Sequence, residues 1–293
     1  MPNLLQERLK EKPLLFDGAM GTMLMKAGRG SLKTPILLNQ DEPDLVTDIH
    51  RQYYAAGADV VITNTFGGSP LKLAADGLQE QMVDLNCQAV KLTRQACPDG
   101  KYVAGDIGPS GKMIQPLGDI APEEMQGNFF SQARVLIEAG VDLITIETMY
   151  SLDEALAAVQ AVRKAGDILL LASMTYTRTK NGFFTVMGEN ISQCVSALAG
   201  VGADMMGANC TLNSTDTIDL TKELRAATDK PLLIQPNAGK PVTSKGITYY
   251  EQTPTEFARD AKKIRKAGAD MIGGCCGTTP EFIQAVKAEL AKA

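Results

Sequence analysis

Eight short aliphatic runs recur along this chain, and a stretch with helical periodicity follows each one. The runs lie at 13–16, 60–63, 102–105, 143–146, 168–174, 205–210, 231–234 and 269–272. The helical stretches between and after them lie at 43–56, 78–96, 122–139, 152–165, 191–201, 215–227, 255–267 and 280–291. Continuous apolar strands that alternate with helices predict a parallel sheet covered on both faces. Eight such units in 293 residues, with no shift of composition to mark a second domain, predict one (β/α)8 barrel of the TIM type spanning residues 1–293.

In a barrel of this kind the strand C-termini meet at one mouth, where active sites lie. The unusual residues of this chain fall at those ends: Asp17-Gly18, Asn64, Asp106, Glu147, Cys210, Asn237 and the pair Cys275-Cys276. The pair sits in G-G-C-C-G-T-T-P, residues 273–280. Successive strand residues face opposite ways, so both thiols can reach one centre only if the backbone turns. Gly273, Gly274 and Gly277 permit that turn. A vicinal pair alone also fits two buried apolar thiols or a strained disulfide, and no C-x-x-C motif occurs. Barrel closure would bring Cys210 to the pair, and three soft thiolates with a fourth position open suit a catalytic zinc.

Composition removes several alternatives. With a net charge of −5 and no run of Lys and Arg, the chain offers no nucleic-acid surface. No apolar stretch is long enough to span a bilayer, and residues 1–12 lack the apolar centre of a signal peptide, so a cytoplasmic location without a membrane partner is expected. In a reducing compartment the six cysteines read as thiols, ligands or core residues. Cys87, Cys97 and Cys194 read as packing residues. His50, the single histidine, lies within a helix, where it reads as a surface or partly buried structural residue. Residues 3–10 predict an amphipathic helix across the barrel floor. Asp41 is the expected N-cap of the first barrel helix, with Gly57 its stop.

Zinc on three thiolates is electron-rich and activates water poorly, but it can hold a fourth sulfur as a thiolate near neutral pH. The expected chemistry is attack by a small-molecule thiolate on an electrophilic carbon. Glu147, a strand-end carboxylate, would accept a hydrogen bond from an ammonium group of the substrate, or would form a structural ion pair.

Taken together, D-G-A-M-G-T at 17–22, T-N-T-F at 63–66, I-G-P-S-G at 107–111, I-E-T at 146–148, G-A-N-C at 207–210, P-N-A-G at 236–239 and G-G-C-C-G-T-T-P resemble the homocysteine S-methyltransferase family. The likeness is greatest to the homocysteine-binding module of cobalamin-dependent methionine synthases. It implies homocysteine as methyl acceptor, methionine as product, and zinc on Cys210, Cys275 and Cys276. It further implies that the amino acid end of homocysteine lies against the backbone at Asp17-Gly18 and the Glu147 carboxylate, with Asn64 nearby. Asn237 would occupy the open zinc position until the substrate thiol displaces it. The I-G-P-S-G loop, with residues 112–118 behind it, looks like the cobalamin-dependent branch. The resemblance therefore implies methylcobalamin on a separate corrinoid protein as donor, with betaine, S-methylmethionine or another acceptor thiol as enzyme alternatives. A metal-binding subunit that only docks a corrinoid protein is the non-enzyme alternative. Where the methionine synthase branch has Gly-Pro after the first cysteine, this chain has Thr211-Leu212-Asn213-Ser214.

Overall fold

The computed structural model describes residues 4–11, 13–30, 33–244 and 247–292. Its central sheet holds eight parallel strands: β1 (Leu14–Leu15), β2 (Val60–Ile62), β3 (Tyr102–Ile107), β4 (Leu143–Met149), β5 (Leu169–Met174), β6 (Met205–Asn213), β7 (Leu232–Asn237) and β8 (Met271–Ile272). They pair in the order β1-β8-β7-β6-β5-β4-β3-β2. A parallel bridge between Phe16 and Val60 joins the two ends, so the barrel closes. The eight helices around it are α1 (Pro43–Ala56), α2 (Met82–Ala96), α3 (Pro122–Glu138), α4 (Leu152–Ala165), α5 (Ile191–Gly200), α6 (Asp216–Ala227), α7 (Pro254–Lys266) and α8 (Pro280–Leu290). This is the expected (β/α)8 barrel.

The period of two along each strand separates two cores. Ile144, Ile146, Met206, Leu232, Ile234 and Ile272 face outward and pack with helix residues such as Val159, Leu198 and Phe257. Leu143, Leu171, Met205, Leu233 and Met271 face inward and fill the lower barrel with Phe16. The inward series then turns polar toward the strand C-termini. Leu143 gives way to Thr145 and Glu147, Leu233 to Gln235 and Asn237, and Met205 to Gly207 and Asn209. The floor is hydrocarbon and the mouth is chemistry.

The helix Leu4–Glu11 covers that floor, with the side chain of Leu5 fully buried in the inner core. Asn3, the first residue of the expected helix, lies outside the described residues. Helix α1 stops as predicted at Gly57 (φ 113°) but begins with Glu42, not Asp41, as N-cap. Pro43 fixes the first helical position and forces the residue before it out of the helical region, so Asp41 instead ends a short helix of its own, Leu38–Asp41.

His50 is not at the surface. It is fully buried, and its Nε2 lies 3.1 Å from Thr93 Oγ1, a bond that ties α1 to α2. Cys194 is buried and Cys97 packs half-buried against the core, as expected, whereas Cys87 is exposed on α2. Antiparallel hairpins rise from two mouth loops, Thr177–Thr179 with Gly182–Phe184 after β5 and Pro241–Ser244 with Ile247–Tyr250 after β7. Their polar, irregular sequences carry no strong strand period.

Candidate active site

Barrel closure brings Cys210, Cys275 and Cys276 into one group, with all three sulfurs within 4.8 Å of one another. The local backbone explains how. By strand parity Cys210 would face outward with Ala208, but its φ of 63° and that of Thr211, 51°, turn the chain inside β6. The β6–β7 register shifts at this point, between Asn209 and Asn213. Cys275 is anchored by its N–H to Pro236 O (2.9 Å), and Cys276 by its carbonyl to the N–H of Ala238 (2.9 Å). Of the three glycines expected to bend this segment, only Gly277 has a positive φ, 86°. Gly273 serves a different end, since a Cβ there would stand 2.8 Å from Phe16 Cβ and 3.0 Å from Asp17 O. The backbone of this segment therefore lies directly against β1.

Three thiols this close cannot all ionise unaided. Hydrogen bonds from Cys275 and Cys276 pull the Cys210 thiol down to about 3, and the same contacts with Cys210 push Cys275 and Cys276 up. One negative charge is shared, and a cation is needed to hold three thiolates. Asn237 lies beside the group, where its side chain helps to lower the Cys210 thiol, and its Oδ1 is buried without a partner. A soft sulfur donor set and an orphaned oxygen next to it fit a thiophilic metal such as zinc.

The thiols open on a cavity of ≈ 420 Å³ whose wall also carries acids. Glu147, Asp17 and Asp106 all line it. Asp17 accepts the Ile62 N–H through Oδ2 (2.9 Å), while its Oδ1 and the Oδ1 of Asp106 are buried without partners. Burial pushes all three carboxyls up, and their mutual repulsion adds to the shifts of Asp17 and Asp106. Glu147, raised by burial and by the nearby Cys210, reaches about 7. No ion pair to any of them occurs among the described residues, which removes the structural ion pair considered for Glu147. Three acids without a cation partner make this pocket able to accept a cationic group.

Asp106 belongs to this wall as fully as Glu147 does. Its place at a strand end was the available signal, but nothing in the sequence says that its carboxylate lacks a partner. Asn64 lines the cavity too, with its Nδ2 committed to Pro35 O (3.0 Å) and Asn39 Oδ1 (3.2 Å), so it fastens the wall of the pocket. Gly18 is required by packing: a Cβ would meet Thr278 Oγ1 at 2.6 Å. Tyr250 escaped sequence reasoning because it ends an unpredicted hairpin. Its ring lies over Gly277, and burial and the sulfur of Cys276 push its hydroxyl up.

The profile of the homocysteine S-methyltransferase family matches residues 14–290. The chain belongs to this family. It is 32% identical over 306 residues to a methionine synthase of Mycobacterium leprae, and 32% identical over 301 residues to that of Mycobacterium tuberculosis. These alignments cover 98% and 97% of this chain and 25% of each relative, so the chain spans about a quarter of their length. Among solved structures, the metallated form of the Escherichia coli homocysteine methyltransferase MmuM superposes with a TM-score of 0.80 at 28% identity. That match covers 98% of this chain and 99% of the other. The chain is thus a member of the homocysteine S-methyltransferase family with its motifs gathered at one barrel mouth.

Proposed function

We propose that this domain methylates the thiol of homocysteine to give methionine, with zinc held by Cys210, Cys275 and Cys276. One observation carries the reading: the same cavity presents three thiols and three carboxyl groups without cation partners. Homocysteine has an ammonium group and a thiol separated by a short chain, so it can satisfy both kinds of group at once. When bound, zinc would supply the positive charge that keeps the substrate sulfur ionised near neutral pH while the three protein thiolates preserve its nucleophilicity.

The chain's own residues bind and orient. Glu147, Asp17 and Asp106 accept the ammonium group, and its charge favours ionisation of a Glu147 carboxyl that otherwise rests near 7. The backbone at Asp17-Gly18 lies along the same wall, and Asn237, whose Oδ1 is buried without a partner, would stand beside the metal. The buried floor below excludes water, which leaves the mouth as the direction of approach for the methyl donor.

Methylcobalamin on a corrinoid protein is the donor that the mouth favours. The exposed large apolar side chains Phe66, Met113, Leu117, Val186, Met187 and Tyr249 lie on mouth loops, where a macrocycle and its carrier would meet them. Similarity to methionine synthases supports the same donor. Incubation of the zinc-loaded protein and homocysteine with methylcobalamin, S-methylmethionine and betaine in parallel tests the proposal. Methionine is expected from methylcobalamin. Rapid formation from a small donor alone would reassign the donor, and methionine from none would overturn the activity.

A further inference from the structure

Asn209 belongs to the G-A-N-C motif and has no role in the account above. It is 3% exposed and sits on β6 immediately before the turn at Cys210. Its amide makes three contacts. Oδ1 accepts the backbone N–H of Thr148 (2.8 Å), Nδ2 donates to Thr148 Oγ1 (2.7 Å), and the same Nδ2 lies 4.0 Å from Cys275 Sγ. The backbone donor fixes the orientation of the amide, because only the oxygen can accept from Thr148 N. Both N–H groups must then face Thr148 Oγ1 and the Cys275 sulfur.

Thr148 directly follows Glu147 and has a φ of 59°, a conformation that a β-branched residue rarely adopts. The register of β4 against β5 shifts at this position, between Ile146 and Met149. Strand β5 separates β4 from β6 in the sheet, so the Asn209 amide reaches across it inside the barrel. Two irregular strand ends, one that bears the carboxylate Glu147 and one that bears the thiol Cys210, are held by a single side chain. That side chain also touches a second thiol.

We propose that Asn209 is a positioning residue that couples the acidic wall to the thiol group. It holds Thr148 in the left-handed conformation, which aims Glu147 into the cavity, and it directs a hydrogen bond at Cys275, which orients that sulfur for the metal. The functional meaning of the coupling rests on the homocysteine reading, whereas the clamp itself does not.

Two measurements read the clamp without turnover. The first is zinc affinity, by competition with a chromophoric chelator. The second is hydrogen exchange of the Thr148 amide. Asn209→Ala is expected to weaken zinc binding about tenfold to a hundredfold, the range for loss of a hydrogen bond to a metal ligand, and to speed Thr148 exchange at least about tenfold. In the same variant KM for homocysteine should rise at least about fivefold, through misplacement of Glu147. The double variant Asn209→Ala with Thr148→Gly should regain much of the KM loss and none of the zinc loss, since glycine adopts positive φ without a clamp.

Should Asn209→Ala not fold, the near-isosteric Asn209→Asp decides. It keeps the acceptor for Thr148 N and loses the donor to Cys275, so zinc binding should change while Thr148 exchange does not. Wild-type zinc affinity and wild-type Thr148 exchange in Asn209→Ala would overturn the proposal, and so would a change in one without the other. If homocysteine proves not to be the substrate, only the KM arm is lost and the other two still decide.

Discussion

The sulfur atoms of Cys210 and Cys276 stand 4.0 Å apart although 66 positions separate them in sequence. The barrel supplies this proximity. Strands β6 and β8 are not neighbours, but both border β7, and their ends bend toward its C-terminus.

From this proximity follows the first prediction. One zinc should bind per chain, and Cys276→Ala should lower its affinity by more than the ~100-fold typical of a second-layer change. Metal analysis after dialysis against a weak chelator measures this. Stoichiometric zinc in Cys276→Ala would remove the cysteine from the ligand set.

The acidic wall predicts a different signature. Glu147→Gln should weaken homocysteine binding by about 1.5 to 3 kcal/mol, the range for a hydrogen bond to a charged group, with zinc content intact. Asp106→Asn should act in the same direction, because it removes a second unpaired carboxylate from the same cavity. Isothermal titration of the zinc-loaded proteins with homocysteine separates the two contributions. Wild-type affinity in Asp106→Asn would confine ammonium recognition to Glu147 and Asp17.

The barrel, the convergence of Cys210 with Cys275-Cys276 and the place of Glu147 at the mouth were all legible in the sequence. Strand periodicity and glycine-rich strand ends are local signals, and closure of eight units is the one global step needed. What remained hidden depends on partners. Whether Asp106 is paired, whether Asn64 faces substrate or a loop, and what Asn209 holds are questions of distance between segments far apart in sequence. The inward turn of Cys210 was equally hidden, since nothing local forces a cysteine or a threonine to a positive φ. His50 misled for a related reason: a histidine within a helix gives no sign of its burial until α2 packs over it.

The floor gives a stability prediction that is independent of the chemistry. Leu5 is fully buried in the inner core with Leu14, Phe16 and Met271, and it comes from a helix outside the barrel repeat. Leu5→Ala should cost about 2 to 5 kcal/mol, the usual range for leucine in a packed core. A chemical denaturation midpoint lowered to match, with zinc affinity unchanged, is the expected outcome. No change in midpoint would show that the helix does not contribute to the cooperative core.

His50 makes stability depend on pH. Burial lowers its folded value to about 3, against an ordinary value of about 6.5. Between these limits the unfolded chain binds a proton that the folded chain refuses, so stability falls as pH drops below about 6.5, by about 1.4 kcal/mol per pH unit. At pH 4.5 the accumulated loss is about 2.7 kcal/mol. Carboxylates and thiols titrate over neighbouring ranges, but they do so alike in a variant that lacks only this group. His50→Gln will carry a constant penalty from altered packing around Thr93, and that penalty is the same at every pH. The measurable quantity is therefore the change in the stability difference between His50→Gln and wild type, from urea denaturation at pH 7.5 and at pH 4.5. The gap should move by about 2.7 kcal/mol in favour of the variant as the pH is lowered. A gap that stays constant would mean that the folded protein accepts a proton on His50, and that α1 and α2 separate locally before the barrel unfolds.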